Sequence, residues 1–134
     1  MGSLEQLINK YHWKKKTHRW SRRLYQNPQK KGIVIRLRIT TPRKPNSARR
    51  PTAKIYLCIK KRLTAHIPGR GHTLRRYSTV LVRGGGARDL PGIYYTCIRG
   101  VFDLMGLVNK RRRRSIYAAP QPAKPKDQTF IRRR

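Results

Sequence analysis

The chain has 134 residues, of which 35 are Lys or Arg and only 4 are acidic (Glu5, Asp89, Asp103 and Asp127), giving a formal net charge of +31. Like charges at that density repel through a compact fold, so a polyanionic partner is expected, and nucleic acid is the commonest. Apolar residues make up 37%, below the roughly 45–50% of ordinary globular chains, and no apolar run approaches the roughly 20 residues a membrane span needs.

Residues 3–11 read as a short amphipathic helix, with Leu4, Leu7, Ile8 and Tyr11 at i, i+3, i+4 and i+7. Ser3 followed by Gln6 supplies a capping-box start. From Trp13 to Lys31 the periodicity stops, in a stretch too polar to order itself. It reads as an extended basic arm carrying Lys14, Lys15, Lys16, Arg19, Arg22 and Arg23, with Trp13, Trp20 and Tyr25 as stacking or anchoring groups. No uncharged apolar segment follows the start, so no secretory signal is expected. Residues 1–24 are basic enough for a transit peptide, but Glu5, two Trp residues and the segment's own fold signals argue against one.

The centre reads as strands. In 33–40, Ile33, Ile35, Leu37 and Ile39 alternate with Val34, Arg36, Arg38 and Thr40, which predicts the odd set facing inward. Residues 54–59 repeat the pattern with Ile55, Leu57 and Ile59 opposite Tyr56 and Cys58, and runs at 63–67, 78–83 and 93–98 follow. Five short strands separated by Gly/Pro turns predict a small closed barrel of the oligonucleotide-binding (OB) type, with a sandwich as the alternative. Residues 101–107 are expected to add one helical turn. Beyond Asn109 the chain is basic again, with Arg111, Arg112, Arg113 and Arg114, and Pro120, Pro122 and Pro125 predict an extended tail.

Catalysis is disfavoured by inventory. There is almost no carboxylate for acid/base work and no nucleophile signature. Gly84–Gly86 lack the following GK[ST] of a phosphate loop, and Gly69 and Gly71 lack a third glycine, so both sets read as turns. Cys58 and Cys97 each sit in an apolar stretch and are expected to be buried free thiols; no Cys or His spacing suggests a metal site, and no cofactor is expected.

Two loops stand out. TPRKPNSARRP (41–51) holds Asn46 and Ser47 between Arg43, Lys44, Arg49 and Arg50, stiffened by Pro42, Pro45 and Pro51. A stiff loop of small polar groups between cations suits recognition of RNA shape and 2′-hydroxyls, although a plain surface turn remains open. RGGGARDLPG (83–92) places Arg88, Asp89, Leu90 and Pro91 in a second turn, where Asp89 either has a role of its own or simply caps the turn or pairs with Arg88.

These two loops resemble the signature segments of the bacterial and organellar small-subunit ribosomal protein twelve family. The likeness extends through EQLINK (5–10), NPQKKG (27–32), TAHIPGRGHTL (64–74), YSTVLVRGG (77–85), CIRGVFDLMG (97–106) and RRRRSIYAA (111–119). AHIPG with CIRGVFDLMG is more similar to mitochondrial members than to bacterial ones. The resemblance implies an OB-like barrel at the decoding centre, with Pro45, Asn46 and Ser47 nearest the codon–anticodon helix. Arg43, Lys44 and Arg88 would contact the surrounding rRNA. The family carries Lys at the positions of Arg43 and Arg88, so the charge is kept while the geometry changes.

The expected protein is mainly β: a helix and rRNA-binding arm (1–31), a five-stranded barrel (32–108) and a basic tail (109–134). Its expected function is that of a structural constituent of the small ribosomal subunit that binds rRNA at the decoding centre and contributes to accuracy. Its partners would be small-subunit rRNA and neighbouring ribosomal proteins, with mRNA and tRNA close by and no membrane. Its place would be the mitochondrion, or alternatively the bacterial cytoplasm. The rival function is nonspecific single-stranded RNA binding or chaperoning through Tyr56, Tyr94 and Tyr95 exposed on the barrel face.

Overall fold

The computed structural model describes residues 3–5 and 22–121. Five strands form a closed barrel: β1 (Gln29–Thr40), β2 (Arg50–Leu57), β3 (Arg62–His66), β4 (Thr79–Gly84) and β5 (Tyr95–Ile98). The order around it is β1-β2-β3-β5-β4. All neighbours are antiparallel except β3 and β5, which run parallel through Ala65–Tyr95 and His66–Thr96. Closure removes open edges. The protein is therefore mainly β and OB-like, not a sandwich. Most of the helix expected over 3–11, the arm as far as residue 21 and the tail from residue 122 lie outside the described residues.

Alternation on β2 and β3 falls as the pattern predicts. Ile55, Leu57, Leu63 and Ala65 are buried, Tyr56 and Cys58 are exposed, and Ile59 packs against the core. The first strand departs from it. Ile33 and Ile39, expected inward, are 45% and 68% exposed, while Val34, expected outward, is fully buried. The register with β2 slips between Val34 and Arg36, a β-bulge that leaves Ile35 without a partner on β2. One extra residue exchanges the faces on either side of it. Gly32 and Val34 therefore point inward before the bulge, and Leu37 packs on the core after it. At Gly32 a Cβ would lie 2.6 Å from Ile55 Cγ2 and 2.9 Å from the Tyr56 carbonyl, so the barrel admits only glycine there.

Other expectations also change. Tyr95 is in the core rather than on the barrel face, and its hydroxyl accepts the Arg23 N–H at 3.2 Å. Leu24, at the end of a 3-10 turn (Arg22–Leu24), is buried in the same core, so the arm's last residues belong to the barrel. Cys97 is buried, and burial pushes its thiol pKa up to about 12. Cys58, expected to be buried as well, is exposed; its Sγ–H donates to the Lys31 carbonyl at 3.3 Å. The helical turn expected over 101–107 is instead a tight reversal in which Val101 and Leu104 bridge. Asp103 in that reversal accepts the Thr79 N–H at 2.6 Å.

Arg99 continues the inward phase of Tyr95 and Cys97 and is only 4% exposed. Its guanidinium donates to the carbonyls of Pro68, Gly71 and, at 3.0 Å, Met105, tying the loop after β3 to the segment after β5. Beyond it, the described part of the tail is not extended. It turns back onto the barrel through a 3-10 turn (Arg114–Tyr117), and the Leu107 N–H donates to the Tyr117 carbonyl at 2.9 Å. Glycines floor this docking. A Cβ on Gly100 would lie 2.5 Å from Ala118 Cβ, one on Gly69 would strike Leu107, and one on Gly106 would overlap the Ala118 carbonyl.

Candidate nucleic-acid interface

The two loops singled out above connect β1 to β2 and β4 to β5, and the fold joins them. In the first, the Lys44–Pro45 peptide is cis and the Asn46 N–H donates to the Arg43 carbonyl at 3.1 Å, a tight proline turn. Arg43, Lys44, Pro45, Asn46, Ser47 and Arg49 are all exposed on it. In the second, Leu90 and Ile93 are buried and anchor the loop, and the Leu90 N–H donates to the Ala87 carbonyl at 3.1 Å. A Cβ on Gly86 would overlap the Ile93 carbonyl, so the two sides of this loop approach backbone to backbone.

Two bonds cross between the loops. The Arg43 N–H donates to the Asp89 carbonyl at 2.9 Å, and Arg50 Nη2 contacts Asp89 Oδ2 at 2.7 Å. Asp89 therefore pairs with Arg50, 39 residues away, not with its neighbour Arg88. With both side chains about one-third exposed, the pair is worth only about 1 kcal/mol. Its consequence is geometric. The loops form one edge from which Arg43 and Arg88 extend, neither guanidinium having a partner among the described residues. Between them lies a cleft of about 510 Å³ lined by Arg43, residues 85–88, residues 90–93 and Tyr94.

Of the other expected contacts, Lys14, Lys15, Lys16 and Arg19 lie outside the described residues. Arg23 reaches back to the Arg62 carbonyl, Arg111, Arg112 and Arg113 are exposed and Arg114 is half-buried. Sequence reasoning missed the Arg50–Asp89 pair, because nothing local joins residues on different loops. It also missed the Arg99 anchor, which the odd-numbered inward phase of β5 would have revealed.

His66 lies on β3 near this edge, and burial together with the Arg50 charge lowers its pKa below the ordinary 6.5. His72 is lowered in the same direction by burial and by Arg99. Folding therefore disfavours both imidazolium forms. The stability they contribute is complete above about pH 6.5 and is lost as pH falls through the lowered folded values. Thermal melts of the free protein between pH 7.5 and 5 are expected to show a falling midpoint, and His66→Gln should flatten that slope. An unchanged slope in the variant would remove His66 from the account.

The family model described as ribosomal protein S12/S23 matches residues 16–123. The chain belongs to the ribosomal protein S12/S23 family. It is similar to the small ribosomal subunit protein uS12m of Paramecium tetraurelia, 62% identical over 95 residues that cover 71% of this chain and 68% of that relative. As an S12/S23 protein it is a structural component of the ribosome, associated with rRNA and other ribosomal proteins, and not an enzyme. Both loops fall inside the matched segment, as does the whole barrel.

Proposed function

We propose that this S12/S23 protein sits at the decoding centre of the mitochondrial small subunit, where its joined loops contribute to translational accuracy. The name of its uS12m relative and the charge of +31 support the placement in rRNA. The observation that carries the reading is the pair of bonds from Arg43 and Arg50 to Asp89. They hold Pro45, Asn46 and Ser47 on a preformed edge with Arg43 and Arg88 free to meet phosphate.

A preformed edge does not have to order itself when RNA arrives, so its contact energy goes into favouring one subunit conformation over another. The basic arm (Lys14, Lys15, Lys16, Arg19, Arg22, Arg23) and Arg111–Arg114 thread the surrounding rRNA and fix the barrel in place. The chemistry of decoding remains with RNA; the protein biases the conformation that correct pairing induces.

The test replaces Arg43 or Arg88 by Thr, both exposed and outside the strands. Losing one charged contact costs on the order of 1–3 kcal/mol, enough to shift a balanced two-state equilibrium several-fold. Ribosomes carrying either variant are expected to assemble normally and to change their misreading of near-cognate codons several-fold. Parental misreading in both variants would refute the decoding role.

A further inference from the structure

The cleft between the joined loops has a lining that the contacts described above do not use. At about 510 Å³ it is within the range that takes a small ligand such as one nucleotide. Its lining combines Tyr94, 54% exposed, with Arg43 and Arg88, whose guanidiniums have no partner among the described residues. Gly85, Gly86 and Gly92 leave stretches of bare backbone in the lining, beside the apolar residues Ala87, Leu90, Pro91 and Ile93. Gly86 cannot gain one without striking Ile93, and Gly85 and Gly92 hold φ of 92° and 73°.

Exposed Tyr94 contrasts with its neighbours Ile93 and Tyr95, both buried. The anchors on either side therefore fix the backbone from which the ring projects. An exposed aromatic ring sharing a cleft with two arginines and glycine backbone has the chemistry that receives an unstacked base and its phosphate.

We propose that this cleft is a binding site for a single unpaired nucleotide of an RNA chain, the base stacking on Tyr94 and the phosphate lying between Arg43 and Arg88. The site rests on the reading of the joined loops as an RNA-facing edge, and it adds a bulged or extruded base as the partner. An RNA strand is the source that the charge favours, since cations along the rest of the barrel engage the flanking phosphates.

The test uses the full chain and three fluorescent probes. These are an RNA hairpin carrying one bulged 2-aminopurine, the same hairpin with that base paired, and 2-aminopurine ribonucleoside monophosphate alone. Salt is set high enough to suppress nonspecific phosphate contact. The bulged hairpin is expected to bind roughly tenfold tighter than the paired one, with its fluorescence quenched on stacking. Tyr94→Ala should abolish both the preference and the quench, while Tyr94→Phe should retain them. Equal binding of the two hairpins, or a preference that survives Tyr94→Ala, would overturn the site. So would equally tight binding of the free monophosphate, which would make the source a free nucleotide. Loss of the preference in Tyr94→Ala with parental misreading in both Arg43→Thr and Arg88→Thr would leave the site standing and sink the decoding role. An unchanged preference in Tyr94→Ala with altered misreading in Arg43→Thr would do the reverse.

Discussion

Replacing Leu57 with Ala is expected to destabilise the barrel by about 2–5 kcal/mol, the cost of deleting a large aliphatic side chain from a packed core. Leu57 is fully buried and pairs across from Gly32, where an added Cβ would meet both Ile55 and Leu57. Neighbouring backbone is therefore poorly placed to collapse into the space. In a barrel of this size each kcal/mol moves the midpoint by about 4–8 °C, so the variant should melt at least about 8 °C below the parent. The same melts judge the β1 bulge. Val34→Ala should cost about 2 kcal/mol, whereas Ile33→Ala and Arg36→Ala, both on the outer face, should stay within about 0.5 kcal/mol. A larger effect at Ile33 than at Val34 would restore the unbroken odd-numbered phase and contradict the bulge.

Removing Arg99 should be comparably severe, for a different reason. Its guanidinium is the donor for the Pro68, Gly71 and Met105 carbonyls. Bonds to a charged donor contribute roughly 1.5–3 kcal/mol each and are not additive. Arg99→Ala is expected to cost about 3–5 kcal/mol in urea unfolding and to raise hydrogen exchange in residues 68–71 and 105–107 ahead of the strands. Arg99→Lys should recover less than half, since a single ammonium cannot span three diverging carbonyls as the planar fork does. Full stability in the Lys variant would mean that charge alone, and not the fork, holds these loops.

The strands were legible because period-two alternation and Gly/Pro turns are local signals, and β2 and β3 carry both cleanly. The bulge was not legible. Residues 33–39 alternate without interruption in sequence, and only pairing with β2 shows that Ile35 is extra. Cys58 was misplaced because an apolar neighbourhood does not say which side of a strand a residue occupies; the alternation that places Ile55 and Leu57 inward puts Cys58 outside. The two loops were legible as a pair only through family resemblance. Their physical union depends on Arg50 meeting Asp89 across 39 residues, a contact that charge composition made easy to overlook when 35 cations compete for so few acids.

The glycine floor beneath Ala118 bears on where the chain goes after the barrel. Gly69 follows β3 while Gly100 and Gly106 follow β5, yet all lie against Leu107 or the returning segment. That segment leaves the barrel on a fixed heading, with Arg111, Arg112 and Arg113 exposed along it. A methyl group on Gly100 or Gly106 would press directly on Ala118 and push the segment, and these charges with it, off their heading. The seam therefore works as a signpost: it decides the direction in which the polycation reaches out, and one carbon atom is enough to turn it.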